Sequence, residues 1–330
     1  DGDPATSDGV FVFERGIPRV DVNAGDAVRV AGEVTEYFGE TQVTASEVRV
    51  IGSGELLPVP IDLPAAAVIA NSDGQLIPDL ERYEGMYVRF PQTLTITSLW
   101  SLERFGAFPL AQGGRPFQFT NQNPPGTDGY PAYRAALAAR VVFLDDGRRG
   151  SYDRPTAYLA GAGTLRVGDQ VTDLTGNLRF SRGSGGSGFE TYRVMPTGEP
   201  AFFAANPRPD APAVGGKLKV ASVNADNFFS AVDSGQAICG PTGDDGCRGA
   251  DSQQELDRQL GKLTTMLIAL DADIVGLVEV ENNGGEAVEL LVASLNAASR
   301  RDYEYVETDV LGSDAITTAL IYDRASVVAD

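Results

Sequence analysis

The sequence predicts a multidomain chain, with an all-β amino-terminal region followed by an α/β domain. Three observations carry this reading. Residues 10–51 alternate apolar and polar side chains, with Gly and Asp between the runs, which is the period of half-buried strands. The stretch Asn206-Pro207-Arg208-Pro209-Asp210-Ala211-Pro212 disfavours both helix and central strand, so it reads as a linker. Past it, leucines at helical spacing lead into an apolar strand-like run, and the pattern changes to alternating helix and strand.

In chain order, the first expected strands lie at 10–13, 27–34, 42–44 and 48–51. Their punctuation predicts a small β-barrel over 1–66. Asp1, Asp3 and Asp8 imitate a calcium loop, but no suitably spaced glutamate completes it, so turn chemistry is the reading. A second β-rich domain is expected over 67–205, with strands at 85–90, 94–97, 140–144 and 191–194 and a Gly/Ser-rich hairpin tip at 181–188. The linker spans 206–216. In 217–330, Ser252 and Glu255 have capping-box spacing ahead of Leu256, Leu260, Leu263, Leu267 and Leu270, one face of a helix. Strands at 218–224, 273–280 and 318–322 and a second helix at 287–297 complete an α/β pattern that reads as unfinished.

Composition narrows the function. The 330 residues carry a net charge of −20, from 26 basic and 46 acidic side chains, and no histidine. Such a surface repels polyanions at long range, although salt screens the repulsion and a divalent cation can reverse it locally. No apolar run approaches the ~20 residues of a membrane span, so no membrane partner is expected. Cys239 and Cys247 enclose a loop rich in Gly, Pro and Asp. A loop-stapling disulfide is favoured over a metal site, because no second Cys pair and no His would complete one. A disulfide implies an oxidising compartment, hence an extracellular location; the polar first residues are not a signal peptide.

The chemistry concentrates in two apolar runs, one ending at Asn224 and the other at Glu279. A carboxylate held at a sheet edge is a natural ligand for a hard divalent cation, and an amide beside it can orient a phosphate or a second carboxylate. Polar strand ends that merely face water would look the same. Glu281, Asn282 and Asn283 extend the polar cluster.

Several motifs in order favour the first reading. The segment 220–224, then Asn227-Phe228-Phe229, Cys247-Arg248-Gly249-Ala250-Asp251-Ser252, Asp273 to Asn283 and Gly312-Ser313-Asp314-Ala315-Ile316 resemble the endonuclease/exonuclease/phosphatase superfamily, the fold of pancreatic deoxyribonuclease. More closely, they resemble its secreted bacterial ExeM/NucH-type extracellular nucleases. The amino-terminal half agrees through 6–12 and 80–86, where the resemblance implies an OB-fold-like region. It also implies an α/β-sandwich catalytic domain, incomplete in these residues.

By resemblance the activity is metal-dependent hydrolysis of DNA phosphodiesters, with RNA as a second substrate and Mg²⁺, Mn²⁺ or Ca²⁺ as cofactor. Glu279 matches the metal-binding glutamate and Asn224 the active-site asparagine. Asn282 and Asp314 are candidates for the substrate side. Val223 departs from the family, where Phe is usual before that Asn. The family's histidine base, its Asp-x-Asn pair and its final Asp-His match no residue here, so these residues alone are expected to be inactive. Phe11, Phe13, Tyr37 and Phe38 could stack bases on an OB-fold, with core packing the expected use for most of them. Two alternatives remain: a secreted OB-fold protein that binds nucleic acid without catalysis, and a phosphodiesterase of this fold acting on another phosphoester. Oligomeric state is not readable.

Overall fold

Strand β1 (Phe11–Phe13) lies beside a long hairpin made by the alternating run, β2 (Asp26–Tyr37) and β3 (Glu40–Ser53), with order β1-β3-β2. The hairpin turns on Phe38 and Gly39, with φ of +52° and +80°, as the twist of a two-residue connection requires. The computed structural model describes residues 3, 5–15, 20–148, 158, 164–183 and 188–329. It divides into two units, Asp1–Arg208 and Pro209–Asp330. The division falls inside the proline-rich linker, and 1–66 shares a unit with 67–205. The pattern over 1–66 predicted a barrel, but the described strands make an open three-stranded sheet. Strands of 12 and 14 residues satisfy each other in a hairpin, and a barrel needs more strands to close. Asp3 accepts from the Ala5 amide in a turn; Asp1 lies outside the described residues.

The rest of this unit is one nine-stranded sheet, curled as a half-barrel. Its strands are β4 (Val59–Pro60), β7 (Tyr87–Phe90), β8 (Leu94–Ile96), β9 (Ala107–Gln112), β10 (Val141–Asp145), β11 (Gln170–Val171), β12 (Leu174–Ser181), β13 (Thr191–Pro196) and β14 (Phe202–Phe203). The spatial order is β14-β11-β8-β9-β10-β13-β12-β7-β4. A small hairpin, β5 (Val68–Ala70) and β6 (Leu76–Pro78), and two helices, α1 (Leu102–Phe105) and α2 (Tyr130–Ala138), accompany it. Phe90, Phe108, Leu110, Leu144, Leu178 and Tyr192 are fully buried on its inner face. Strands β12 and β13 pair as expected around 181–188, but the tip at 184–187 lies outside the described residues.

Charge locks the first sheet to the second. Arg179 on β12 grips buried Glu40 through Nε and Nη2, at 2.7 and 2.5 Å, and sits 3.9 Å above the Phe11 ring. Beside them Glu84 is 5% exposed; one oxygen accepts from the Thr41 amide at 2.9 Å and the other is buried without a partner. Burial pushes the Glu84 carboxyl up to about 7 against the pull of that amide, helped by the negative charge of Glu81, Glu40 and Glu36.

In the second unit, β15 (Val220–Phe228), β18 (Ile274–Glu281), β19 (Tyr303–Tyr305) and β20 (Ile316–Asp323) form a sheet of order β15-β18-β20-β19. A two-stranded ribbon, β16 (Ala237–Cys239) and β17 (Asp245–Gly246), lies between β15 and helix α3 (Gln253–Leu270), and α4 (Glu286–Ala298) follows β18. Ser252 caps α3, its hydroxyl accepting from the Glu255 amide at 3.3 Å. The Glu255 carboxylate reaches one residue beyond the expected box, to the Asp251 amide. Leu256, Leu263 and Leu267 of the stripe are buried with Val223, Val275, Leu277, Leu291 and Ile321. The opposite sheet face leaves Val220, Val278 and Leu320 exposed. No described helix is long and apolar enough to cross a membrane.

Arg301 ties the start of β18 to the end of β20. It donates to Asp271 at 2.6 Å, Asp273 at 2.8 Å and Asp323 at 2.7 Å. The Ser326 hydroxyl, the Lys219 amide and Arg301 hold the Asp273 carboxyl down at about 2.

Opposite pH responses of two carboxyls follow. Glu84 stabilises fully below its unfolded value of 4.5 and loses this as pH rises through about 7, a swing on the order of 3 kcal/mol. Glu84→Gln should therefore unfold later than wild type above pH 7 and gain nothing at pH 4. Asp273 stabilises above 3.8 and loses this as pH falls through about 2; Asp273→Asn should be destabilised at pH 6, with the deficit vanishing near pH 2. Denaturant melts of both variants across pH check the two curves.

Candidate functional site

Strands β15 and β18 run parallel, from Val220 opposite Ile274 to Asn224 opposite Val278. Their carboxyl ends therefore lie at one edge of the sheet, where open α/β sheets present ligand-binding groups. Both strands break regular pairing there. Between Asn224 and Phe228, three residues of β15 oppose one residue of β18, and that residue is Glu279. Glu279 is also the extra residue against β20, since Val278 and Val280 face the consecutive Thr318 and Thr317. Such bulges re-aim side chains at sheet edges.

The backbone is strained at this point. Asp226, Asn227 and Glu279 have φ of +56°, +52° and +59°. A side chain in that region costs about 1 kcal/mol or more, and Asn and Asp bear it best. The surroundings compensate. Asn224 Oδ1 accepts from the Asp226 amide at 2.7 Å, and Gln259 on α3 donates to the Asp226 and Ala225 carbonyls at 3.0 and 3.5 Å.

The result joins residues 55 positions apart: Asn224 Nδ2 donates to Glu279 Oε1 at 3.0 Å. Glu279 Oε2 has no protein partner among the described residues, and Glu279 is only partly buried. Among the described residues, no three His, Cys, Asp or Glu side chains cluster to hold a metal ion. One carboxylate with a free oxygen, oriented by an amide, still fits a hydrated hard cation such as Mg²⁺, which takes one or two protein carboxylates and fills its shell with water and phosphate oxygens.

Behind the pair lies a second polar group. Glu281, 3% exposed, accepts through Oε2 from the Ser230 amide and hydroxyl at 2.9 and 3.0 Å, from Asn283 at 2.9 Å and from the Ala231 amide at 3.3 Å. It pins the chain leaving β15 to the end of β18. The Cys239–Cys247 disulfide is formed, and it packs with Phe229 and Ala315. A Cβ on Gly249 would lie 2.6 Å from that of Phe229, so only glycine lets this loop sit so close. Arg248, between Cys247 and Gly249, pairs with Asp314 at 3.2 Å, both partly exposed.

The four residues expected to act divide in two. Asn224 and Glu279 meet directly. Asn282 is turned inward at 1% exposure: its amide donates to the Leu311 and Asp314 carbonyls at 2.9 and 3.0 Å, and its oxygen accepts from the Leu311 amide at 3.2 Å. It clamps the loop that carries Asp314, while Asp314 itself faces solvent. Sequence reasoning missed Gln259, whose one signal is its place off the leucine stripe, and the pairing of Arg248 with Asp314. Of Phe11, Phe13, Tyr37 and Phe38, most of which were expected to pack in a core, Phe13, Tyr37 and Phe38 are exposed, the last two edge to face at 4.7 Å at the hairpin turn.

No family model, no curated protein and no solved structure matches this chain.

The three hydrogen bonds of Asn282 make it a positioning residue. Asn282→Ala should cost about 2 kcal/mol and speed hydrogen exchange at the Leu311 amide, which a purely solvent-facing side chain would leave unchanged.

Proposed function

We propose that the second unit carries the metal- and phosphate-holding part of an endonuclease/exonuclease/phosphatase-type site, in a secreted, metal-dependent nuclease of the ExeM/NucH kind. The observation that supports this best is the Asn224–Glu279 hydrogen bond across two bulged, parallel strand ends. Neither residue is needed there to terminate a strand, and three strained non-glycine backbones are maintained to create the contact. Strain of this kind concentrates at functional sites.

In this reading Glu279 is the cation ligand, and Asn224 sets its rotamer by holding Oε1 so that Oε2 faces outward. A bound Mg²⁺ or Mn²⁺ would stabilise charge on a phosphodiester and acidify a bound water. It would also overcome the −20 charge that otherwise opposes a polyanion such as DNA. Arg248 offers the phosphate a cation once it leaves Asp314. The exposed face of Val220, Val278 and Leu320 suits a second sheet of an α/β sandwich, and the disulfide suits an extracellular setting. Proton abstraction from water needs a general base, which the family takes from histidine. This chain has none, so the 330 residues are expected to bind metal without hydrolysis.

Mn²⁺ titration followed by electron paramagnetic resonance tests the reading. Glu279→Gln should abolish the site, and Asn224→Ala should weaken it about tenfold, as removal of a group that orients a ligand does. Unchanged Mn²⁺ affinity in Glu279→Gln would overturn the assignment. Plasmid nicking by wild type with Mg²⁺, lost in Glu279→Ala, would instead refute only the expected inactivity.

A further inference from the structure

A cavity of about 820 Å³ in the Asp1–Arg208 unit lies on the outer side of the nine-stranded sheet, under α2 and the segment before it. Strand alternation defines the two sides. On β10, Val142 and Leu144 enter the core, whereas Val141 and Phe143 line the cavity. On β13, Tyr192 and Val194 enter the core, and Thr191 lines the cavity. Arg193, on the same side, lies beneath Phe143 at 4.9 Å from its ring centre and is neutralised by buried Asp145 at 3.5 Å. The floor is therefore apolar and electrically closed.

Three features of the cavity call for a ligand. Its volume falls within the roughly 300–1,000 Å³ of small-molecule sites, where a helix packed on a sheet would normally leave no such space. Its rim exposes large aromatic surface: Phe117 is 56% and Tyr130 44% accessible. The rim is nevertheless ordered, because the Tyr133 hydroxyl donates to the Phe117 carbonyl and Phe119 meets Tyr130 and Tyr133 edge-on at 5.6 and 5.4 Å. Finally, Thr191, 2% exposed, sets a polar side chain into the otherwise apolar floor. A ligand seated there can use it to fix its orientation.

Charge identifies the chemistry. Acidic residues outnumber basic ones 46 to 26 in this chain, yet among the described residues the one charged side chain lining this cavity is Arg134, 6.0 Å from the Tyr130 ring centre. We propose that the cavity binds a small molecule with a planar aromatic ring system and one acidic group. The rings lie over Phe143 within the aromatic rim, the acid meets Arg134, and Thr191 makes the inner hydrogen bond. The assignment uses none of the chemistry of Glu279.

Fluorescence titration of the full chain with 1-anilinonaphthalene-8-sulfonate, and with its uncharged analogue N-phenyl-1-naphthylamine, tests this. Wild type should bind each dye at one saturable site. Arg134→Gln should weaken the sulfonate about fivefold, the value of one exposed ion pair, and leave the neutral dye within about twofold. Leu137→Trp, which fills the cavity, should abolish both, and Ala138→Phe repeats the test from the next position should the first variant unfold early. Binding that survives both filled variants, or equal loss of the two dyes in Arg134→Gln, would overturn the proposal. Displacement of the dye by oligothymidylate would also overturn it, in favour of nucleic acid.

Discussion

The parallel pairing of β15 with β18 is the constraint on which the candidate site rests. Parallel neighbours cannot be joined by a tight turn, so the chain must travel from Phe228 to Ile274 over the sheet. That passage carries the disulfide ribbon and α3, whose leucine stripe covers one face. Because the strands are parallel, their carboxyl ends coincide, and residues 55 positions apart become neighbours. A slip of one residue would exchange the buried and exposed faces of β15, taking Val223 and Ala225 out of the core and Asn224 into it. The hydrophobic register therefore also selects which polar group reaches the edge.

The two poles of this sheet are built differently. At the start of β18, Arg301 gathers Asp271, Asp273 and Asp323, and every charge there has a protein partner. That end serves cohesion. At the other end, bulges and left-handed backbones leave Glu279 Oε2 unengaged while Glu281, Asn282 and Gln259 spend their hydrogen bonds on support. Packing and polar contacts thus hold a local conformation that propensity alone would reject, and the unspent oxygen is the consequence.

Much of the fold was legible. The leucine stripe and its Ser252 cap marked α3 within a residue or two, because amphipathic spacing and capping are local signals. The apolar runs marked β15, β18 and β20 for the same reason. Helix α2 escaped notice: it starts on Gly129 and Pro131, which ordinarily punctuate turns, and it buries no residue fully. The barrel expected over 1–66 failed because alternation reports one buried face per strand and says nothing of which strands close on which. Core packing for most of Phe11, Phe13, Tyr37 and Phe38 fails similarly, since an aromatic dipeptide cannot announce that it will occupy a hairpin turn.

By itself the sequence determined the periodicities, the linker, the cysteine loop and the two polar strand ends, all of which follow from chemistry a few residues wide. Only the tertiary structure decided that Asn224 faces Glu279, that Asn282 turns inward to hold the loop of Asp314, and that Thr191 looks into a cavity. Those outcomes depend on pairing register, bulges and burial. These are set by contacts between segments tens of residues apart, for which no local pattern carries a signal.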